Sequence, residues 1–485
     1  MTPDPRPTPH RSFWLQQVAG DAPDAPTLQG DARADVAILG GGYVGLWTAL
    51  RIKELEPSRD VAVIERDICG GGASGRNGGF VLNWWTKLSS LVALCGEVDG
   101  LRVARHAEAA IDEIRAFCEA HGIDAHFRRG GSLWTATTPA HLGAWDSVLS
   151  LCERLGVSPF RRLGREETAR RAGSPVHLEG VFDPTAATVQ PALLVRGMRR
   201  VALERGVRIY ENTRVRSFSR GRPVVLRAER GTLTAEKLVV AANAWAAAIP
   251  ELSPGIVAIT SDMVLTAPAP ERLGEIGWTG GECITDSQMM VDYYHATRDG
   301  RIAFGKGGWG IAYRGRIGPA FDRDAERART VEADLRRTYP MLADVPVTHD
   351  WCGPIDRTRN SLPLLGRFEK APQIAYGVGW SGNGVGPSVI GGKILASLAL
   401  ERDDEWSRHP LIGRMAGRFP PEPIRFVGAH VVRGAVARKE RAEMSGREPS
   451  RVDVALSKLA PSGVEDKGLP TGDASGREVK RISSR

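Results

Sequence analysis

The stretch that most constrains this chain runs from Ala34 to Phe80. An apolar, β-branched run, Val36 to Leu39, leads into Gly40-Gly41-Gly42-Tyr43-Val44-Gly45. A helix-like segment follows to Glu54, and a second apolar run, Val61 to Ile64, ends at the acid Glu65. The order strand, glycine turn, helix, strand, acid predicts a βαβ unit that cradles a dinucleotide. Gly40 permits the tight turn, Gly42 lets the backbone approach a pyrophosphate, and Gly45 lets the helix pack closely on the strand. The helix start offers free N–H groups and the positive end of its dipole to the phosphates. Glu65, 20 residues past Gly45, stands where a carboxylate accepts hydrogen bonds from ribose hydroxyls and would repel a 2′-phosphate.

Two further glycine-rich segments narrow the ligand to FAD. The first, Gly70 to Gly79, directly follows the acid and contains Ala73-Ser74-Gly75-Arg76-Asn77-Gly78-Gly79. A simple NAD domain has no use for it, whereas the longer FAD needs a second loop to carry the backbone toward the isoalloxazine ring. The second, Gly377-Val378-Gly379-Trp380-Ser381-Gly382-Asn383-Gly384-Val385-Gly386, feeds a helix predicted over about 387–400. Its N–H groups and helix dipole suit the negative charge of a reduced flavin. With Glu65-Arg66 these segments resemble the FAD-dependent D-amino-acid oxidase superfamily, of the glycine oxidase and monomeric sarcosine oxidase type. The γ-glutamylputrescine oxidase branch is closest in pattern. The resemblance covers roughly residues 34–400.

That resemblance implies a mixed α/β fold in which a Rossmann-type FAD-binding domain is interleaved with a sheet-and-helix substrate domain. The expected division is 34–100, 176–250 and 351–424 for FAD, and 101–175 and 251–350 for substrate. Residues 425–485 are expected to form a helix, about 426–443, and then a disordered tail beyond Gly446. Periodicity predicts helices over 101–121, 142–155, 191–205 and 323–339, and strands at 130–135, 207–210, 213–218, 237–245, 283–292 and 301–305. Phe13, Trp14 and Leu15 are the only strong apolar cluster of a Pro/Asp-rich lead and read as an anchor on the body.

Composition excludes several classes. No apolar run reaches 18 residues, so no membrane span is expected, and the first ten residues lack the apolar segment of a signal peptide. Six widely spaced cysteines with no C-x-x-C make neither a disulfide framework nor a metal site; a cytoplasmic protein with free thiols is the simplest reading. Of the net charge of +8, residues 425–485 carry 13 Lys/Arg against 8 Asp/Glu, and nothing in the body reads as a nucleic-acid groove.

The resemblance also implies the chemistry: hydride transfer from a C–H next to nitrogen to flavin N5, after which the imine is hydrolysed and the electrons pass to O2 or another acceptor. No side-chain base is obligatory, in keeping with the lack of any Ser-His-Asp, paired-carboxylate or metal-ligand set. Candidate residues facing the substrate are Tyr293 and Tyr294, Lys306, read as either exposed or flavin-facing, and Trp380. Strand alternation lets only one of the two tyrosines point inward. Trp84 and Trp85 are read equally as core or pocket. In the family, positions like Val215 and Ala242 pass close to the cofactor. An Arg after a W-x-G-like segment clamps the substrate carboxylate in amino-acid oxidases. Here that segment is Trp351-Cys352-Gly353-Pro354-Ile355-Asp356-Arg357, with Ile355 at the Arg position and Arg357 two residues on. An amine or polyamine-type substrate is therefore expected, with Asp356 attracting a distal cation. Cys352 sits where a family member attaches its flavin covalently; the alternative is an inert core thiol. A 2-hydroxy-acid dehydrogenase and a flavin-dependent RNA-base modifier are the rival functions.

Overall fold

The computed structural model describes residues 10–463 except 21, 22, 24 and 279. Two large sheets organise it. The first runs, in spatial order, Leu364–Phe368, Ala371–Val378, Gly231–Val240, Gly30–Leu39, Val61–Ile64 and Arg208–Tyr210, with Val224–Ala228 and Val215–Phe218 added along the outer half of Gly231–Val240. Its middle strands are parallel, and Val36–Ile38, Val61–Ile64 and Leu238–Val240 are buried without interruption. Continuous apolar runs are what a strand covered on both faces requires. The register pairs Leu39 with Ile64 and with Val240, and Val240 with Tyr376. The strands therefore end on one edge, where the glycine turns leave the sheet.

The helices Tyr43–Leu55, Pro191–Glu204 and Ser388–Ala399 belong to the core on one side of this sheet. A Cβ at Gly45 would lie 2.0 Å from the Gly40 carbonyl oxygen, so no other residue lets Tyr43–Leu55 seat there. Gly40 itself has φ +116°, and its Cβ would meet the Ala241 carbonyl oxygen at 2.4 Å.

The second sheet is mostly antiparallel: Val347–Arg357, Val257–Thr266, Ile302–Ile311, Asp292–Ala296, Cys283–Thr285, Ser132–Ala136, Glu179–Asp183 and Arg161–Leu163. Strand Val347–Arg357 lies whole in this sheet, so the boundary expected at 351 falls inside it, and Glu179–Asp183, expected in the FAD-binding part, pairs in this sheet as well. One face packs Tyr294, Phe304 and Trp278 against Val331 and Leu335 of helix Ala325–Thr338. The other face looks toward the edge of the first sheet where the turns emerge.

The lead is a belt. Helix Phe13–Gln17, capped by Ser12, buries Phe13, Trp14 and Leu15 against Met263 and Trp351. Trp14 Nε1 donates to the Asn77 carbonyl at 3.0 Å, and Ser12 Oγ donates to the Gly75 carbonyl, so the lead holds the second glycine loop. At the other end the order expected to stop at Gly446 continues. Helix Arg451–Ser457 starts on a Ser450 cap and is tied to helix Ile424–Met444 by Arg438–Asp453 at 2.6 Å. The remainder of the expected disordered tail, 464–485, lies outside the described residues.

Candidate active site

The turn-bearing edge of the first sheet and the inner face of the second enclose a cavity of about 1080 Å3. All three glycine segments reach it: Gly40 and Gly42, then Gly70 to Gly78, then Trp380 to Val385. Gly45 and Gly379 do not line it; they shape the backbone behind it, Gly379 at φ +85°. Glu65, Arg66, Val215 and Ala242 line one end together with Trp245, over which the Arg66 guanidinium lies at 4.8 Å.

The polar side chains of the second loop brace it. Ser74 Oγ accepts from Tyr43 N at 2.9 Å, closing the start of helix Tyr43–Leu55. Asn77 donates from Nδ2 to the Ala73 and Ser74 carbonyls and accepts from Gly79 N. Arg76 is buried and spans from the Gly71 carbonyl at 2.8 Å to the Cys352 carbonyl at 3.1 Å, with Asp322 at 3.2 Å. It latches the loop to strand Val347–Arg357.

Alternation along Asp292–Ala296 separates the two tyrosines. Tyr293 lines the cavity, packs its ring over Gly78 and shares a 2.8 Å hydrogen bond between its hydroxyl and Ser261 Oγ. Burial raises its pKa, so the phenol stays protonated. Tyr294 points to the opposite face, stacked on Phe304 at 4.7 Å, and belongs to the core. Lys306 is neither exposed nor in the cavity. It is buried against Asp292 at 2.8 Å and Asp334 at 3.1 Å, while its neighbours Gly307 and Gly308 form the wall. Burial opposes its charge, but Asp292 and Asp334 more than offset this and its pKa is raised.

The structure also corrects Cys352. On strand Val347–Arg357, Gly353, Pro354, Ile355 and Arg357 line the cavity, whereas Cys352 does not. Its thiol points to the Ala320 carbonyl at 3.4 Å and to Arg327 at 3.5 Å. Burial, then the nearby Asp262, push the thiol's pKa well up. A protonated thiol aimed away from the cavity cannot attack a flavin in it. Asp356 is likewise no magnet for a distal cation. Its buried carboxylate accepts from Gly379 N and from Trp380 N at 3.0 Å, holding the third glycine turn. Trp84 and Trp85 are core residues, while the flanking Leu82, Asn83, Thr86 and Lys87 line the cavity.

The cradle fits FAD. A Cβ at Gly42 would stand 2.8 Å from Ser74 Oγ, in the space that opens onto the start of helix Tyr43–Leu55. Glu65 accepts from Gly41 N at 2.8 Å and Asp67 N at 3.0 Å, which orients its carboxylate for ribose hydroxyls. Trp245 Nε1 is buried with no partner among the described residues. Residues 35–398 match the DAO family of FAD dependent oxidoreductases. The chain belongs to this family. FAD is its cofactor and oxidation–reduction its class of chemistry.

This oxidoreductase is 30% identical over 398 residues to a protein described as probable oxidoreductase OrdL of Rhizobium meliloti, covering 81% of this chain and 89% of that one. It is 28% identical over 428 residues to gamma-glutamylputrescine oxidoreductase of Escherichia coli, covering 87% and 97%. Its fold is shared with glycine oxidase from Geobacillus kaustophilus, at a TM-score of 0.62 and 21% identity, over 77% of this chain and 96% of that one.

The charge of the cavity was hidden in the sequence. Glu65 is the single acid among its described lining residues, and no histidine lines it. Away from the Glu65 end, Lys87, Arg357, Arg359 and Arg433 contribute, drawn from three separate segments. Arg357 donates to the Ser381 carbonyl at 3.0 Å and has no carboxylate partner among the described residues; burial alone pulls its pKa down to about 10, still fully charged at neutral pH. Only the W-x-G-like segment signalled Arg357 in advance. Lys87, Arg433 and the residues around 460 carried no signal at all.

Proposed function

We propose that this oxidoreductase oxidises the C–H bond next to nitrogen in an amine that also carries a carboxylate. The observation that carries the reading is the lining opposite Glu65: several cations, with no histidine, aspartate or glutamate among the described residues that line this end. When bound, FAD supplies the two-electron acceptor. Oxidising a hydroxyl carbon calls for a base to take the O–H proton, and no such base lines this end. A neutral amine has a lone pair to give and needs none. Tyr293, hydrogen-bonded to Ser261, and Trp380, packed over Gly384 and Gly391, wall the substrate in and exclude water. Arg357 holds the carboxylate through charge-assisted hydrogen bonds. This replaces the cationic polyamine expected from Ile355 and Asp356: a dication would meet like charge here. The Escherichia coli relative's name supports it, since a γ-glutamyl amine bears both groups.

The test is a panel of free polyamines, carboxylate-bearing amines, amino acids and 2-hydroxy acids, read anaerobically by bleaching of the flavin absorbance. Carboxylate-bearing amines are expected to bleach it. Bleaching by 2-hydroxy acids alone overturns the reading.

A further inference from the structure

The family match ends at residue 398, yet the cavity does not. Helix Ile424–Met444 and the segment after helix Arg451–Ser457 complete its wall, with Leu459, Ala460, Pro461 and Gly463 among the lining residues. The carbonyls of this segment sit on two of the cations that face the substrate end. Arg357 Nη2 donates to the Ser462 carbonyl, and Lys87 Nζ donates to the Gly463 carbonyl. Ser361 Oγ also donates to the Ser462 carbonyl, at 2.7 Å, and Ser462 N donates to the Arg359 carbonyl at 3.0 Å.

Resting on the reading that the site takes an anionic amine, we infer that residues 459–463 are a strap that closes the substrate end and is displaced by the substrate's carboxylate. Two features make the strap exchangeable. A carboxylate is roughly twice as strong an acceptor for a guanidinium as a neutral carbonyl, so Arg357 gains by the exchange. The strap is also imperfectly matched to its seat: Ser462 is fully buried, but its hydroxyl has no partner among the described residues, and Leu459 is 67% exposed.

The anchor does not have to move. Helix Arg451–Ser457 is tied through Asp453 to Arg438, and helix Ile424–Met444 is pinned by Glu440, which accepts from Met290 N at 2.9 Å in the second sheet. Opening thus pivots about Lys458 and Leu459. With no substrate bound, the strap's carbonyls accept from Arg357 and Lys87, and the strap keeps bulk water from the substrate end. A ligand lacking an anionic group leaves Arg357 seated on Ser462 and meets a closed end.

Hydrogen–deuterium exchange on the full-length, FAD-loaded protein tests this, with glutarate as the anionic probe, putrescine as the control, and flavin absorbance reporting occupancy. Saturating glutarate is expected to perturb the flavin spectrum and to speed exchange of the Leu459 and Ser462 amides about tenfold or more, with putrescine doing neither. In Arg357→Met the strap is expected to exchange fast already and to ignore glutarate. Ser462→Pro, which removes the N–H bonded to Arg359, is expected to tighten glutarate binding several-fold. A flavin spectrum that shifts with glutarate while strap exchange stays constant overturns the strap and leaves the anionic site standing. A spectrum indifferent to glutarate overturns the anionic site and the strap with it.

Discussion

The two ends of one cavity are built by different means. The Glu65 end is made largely of backbone: glycine turns at the ends of parallel strands and a helix start, with N–H groups that donate to the Glu65 carboxylate and the Ser74 hydroxyl. The Arg357 end is made of side chains from Lys87, Arg357, Arg359 and Arg433, with a strap that returns from the far end of the described chain. A backbone site tolerates no Cβ in the wrong place, so it leaves glycines at fixed spacing. A side-chain site needs only that distant residues converge, and convergence leaves no spacing to read.

If that contrast is right, substitutions at the first end remove the cofactor and those at the second change the substrate. The largest effect is expected for Gly42→Val, whose branched side chain would fill the space that opens onto the helix start. The natively purified variant should be colourless where the parent is yellow; a yellow variant would break the contrast at its strongest point.

Next comes Arg357→Gln. Losing a charge-assisted hydrogen bond of about 1.5–3 kcal/mol should lower kcat/KM for carboxylate-bearing amines roughly 10- to 100-fold, while flavin content and uncharged amines are barely affected. An equal loss for charged and uncharged amines would mean that Arg357 is only a structural bracket.

A milder effect is the pH dependence of FAD binding. Burial raises the Glu65 pKa to about 7. In the cofactor-free protein the stability this group contributes is present at low pH and lost as pH rises through about 7. Ribose hydroxyls donate to the carboxylate and favour its charged form, so FAD binding lowers that pKa and releases a proton. FAD affinity is therefore expected to be full above about 7 and to fall by up to about tenfold per pH unit below it. Titrations across pH 5 to 8 check this, and Glu65→Gln should flatten the profile. A flat parent profile would show that Glu65 does not face the ribose.

The smallest effect belongs to Cys352. Its thiol faces Ala320 and Arg327, so acid precipitation should leave the flavin in the supernatant for the parent and for Cys352→Ala alike. Flavin pelleting with the parent protein alone would show that the strand face has been misassigned.

The sequence by itself determined the cofactor and the topology around it. Gly41, Gly42 and Gly45 answer to Cys69, Ser74 and Gly40, all inside the stretch from Ala34 to Phe80, so most of this geometry is written there; Gly40 answers to Ala241 beside the adjoining strand. The period of two along Asp292–Ala296 limited the inward tyrosine to one of a pair, but which one depended on where helix Ala325–Thr338 packs. For Lys306, Cys352 and Asp356 the residue type was visible and the role was not. Each turned on what lies across the strand: two carboxylates for Lys306, a carbonyl and a guanidinium for Cys352, and the N–H groups of the third glycine turn for Asp356. The charge of the substrate end and the strap that covers it were decided by tertiary structure alone. Coulomb forces and hydrogen bonds act across space, and the partners here stand hundreds of residues apart: Lys87 and Gly463 differ by 376 positions.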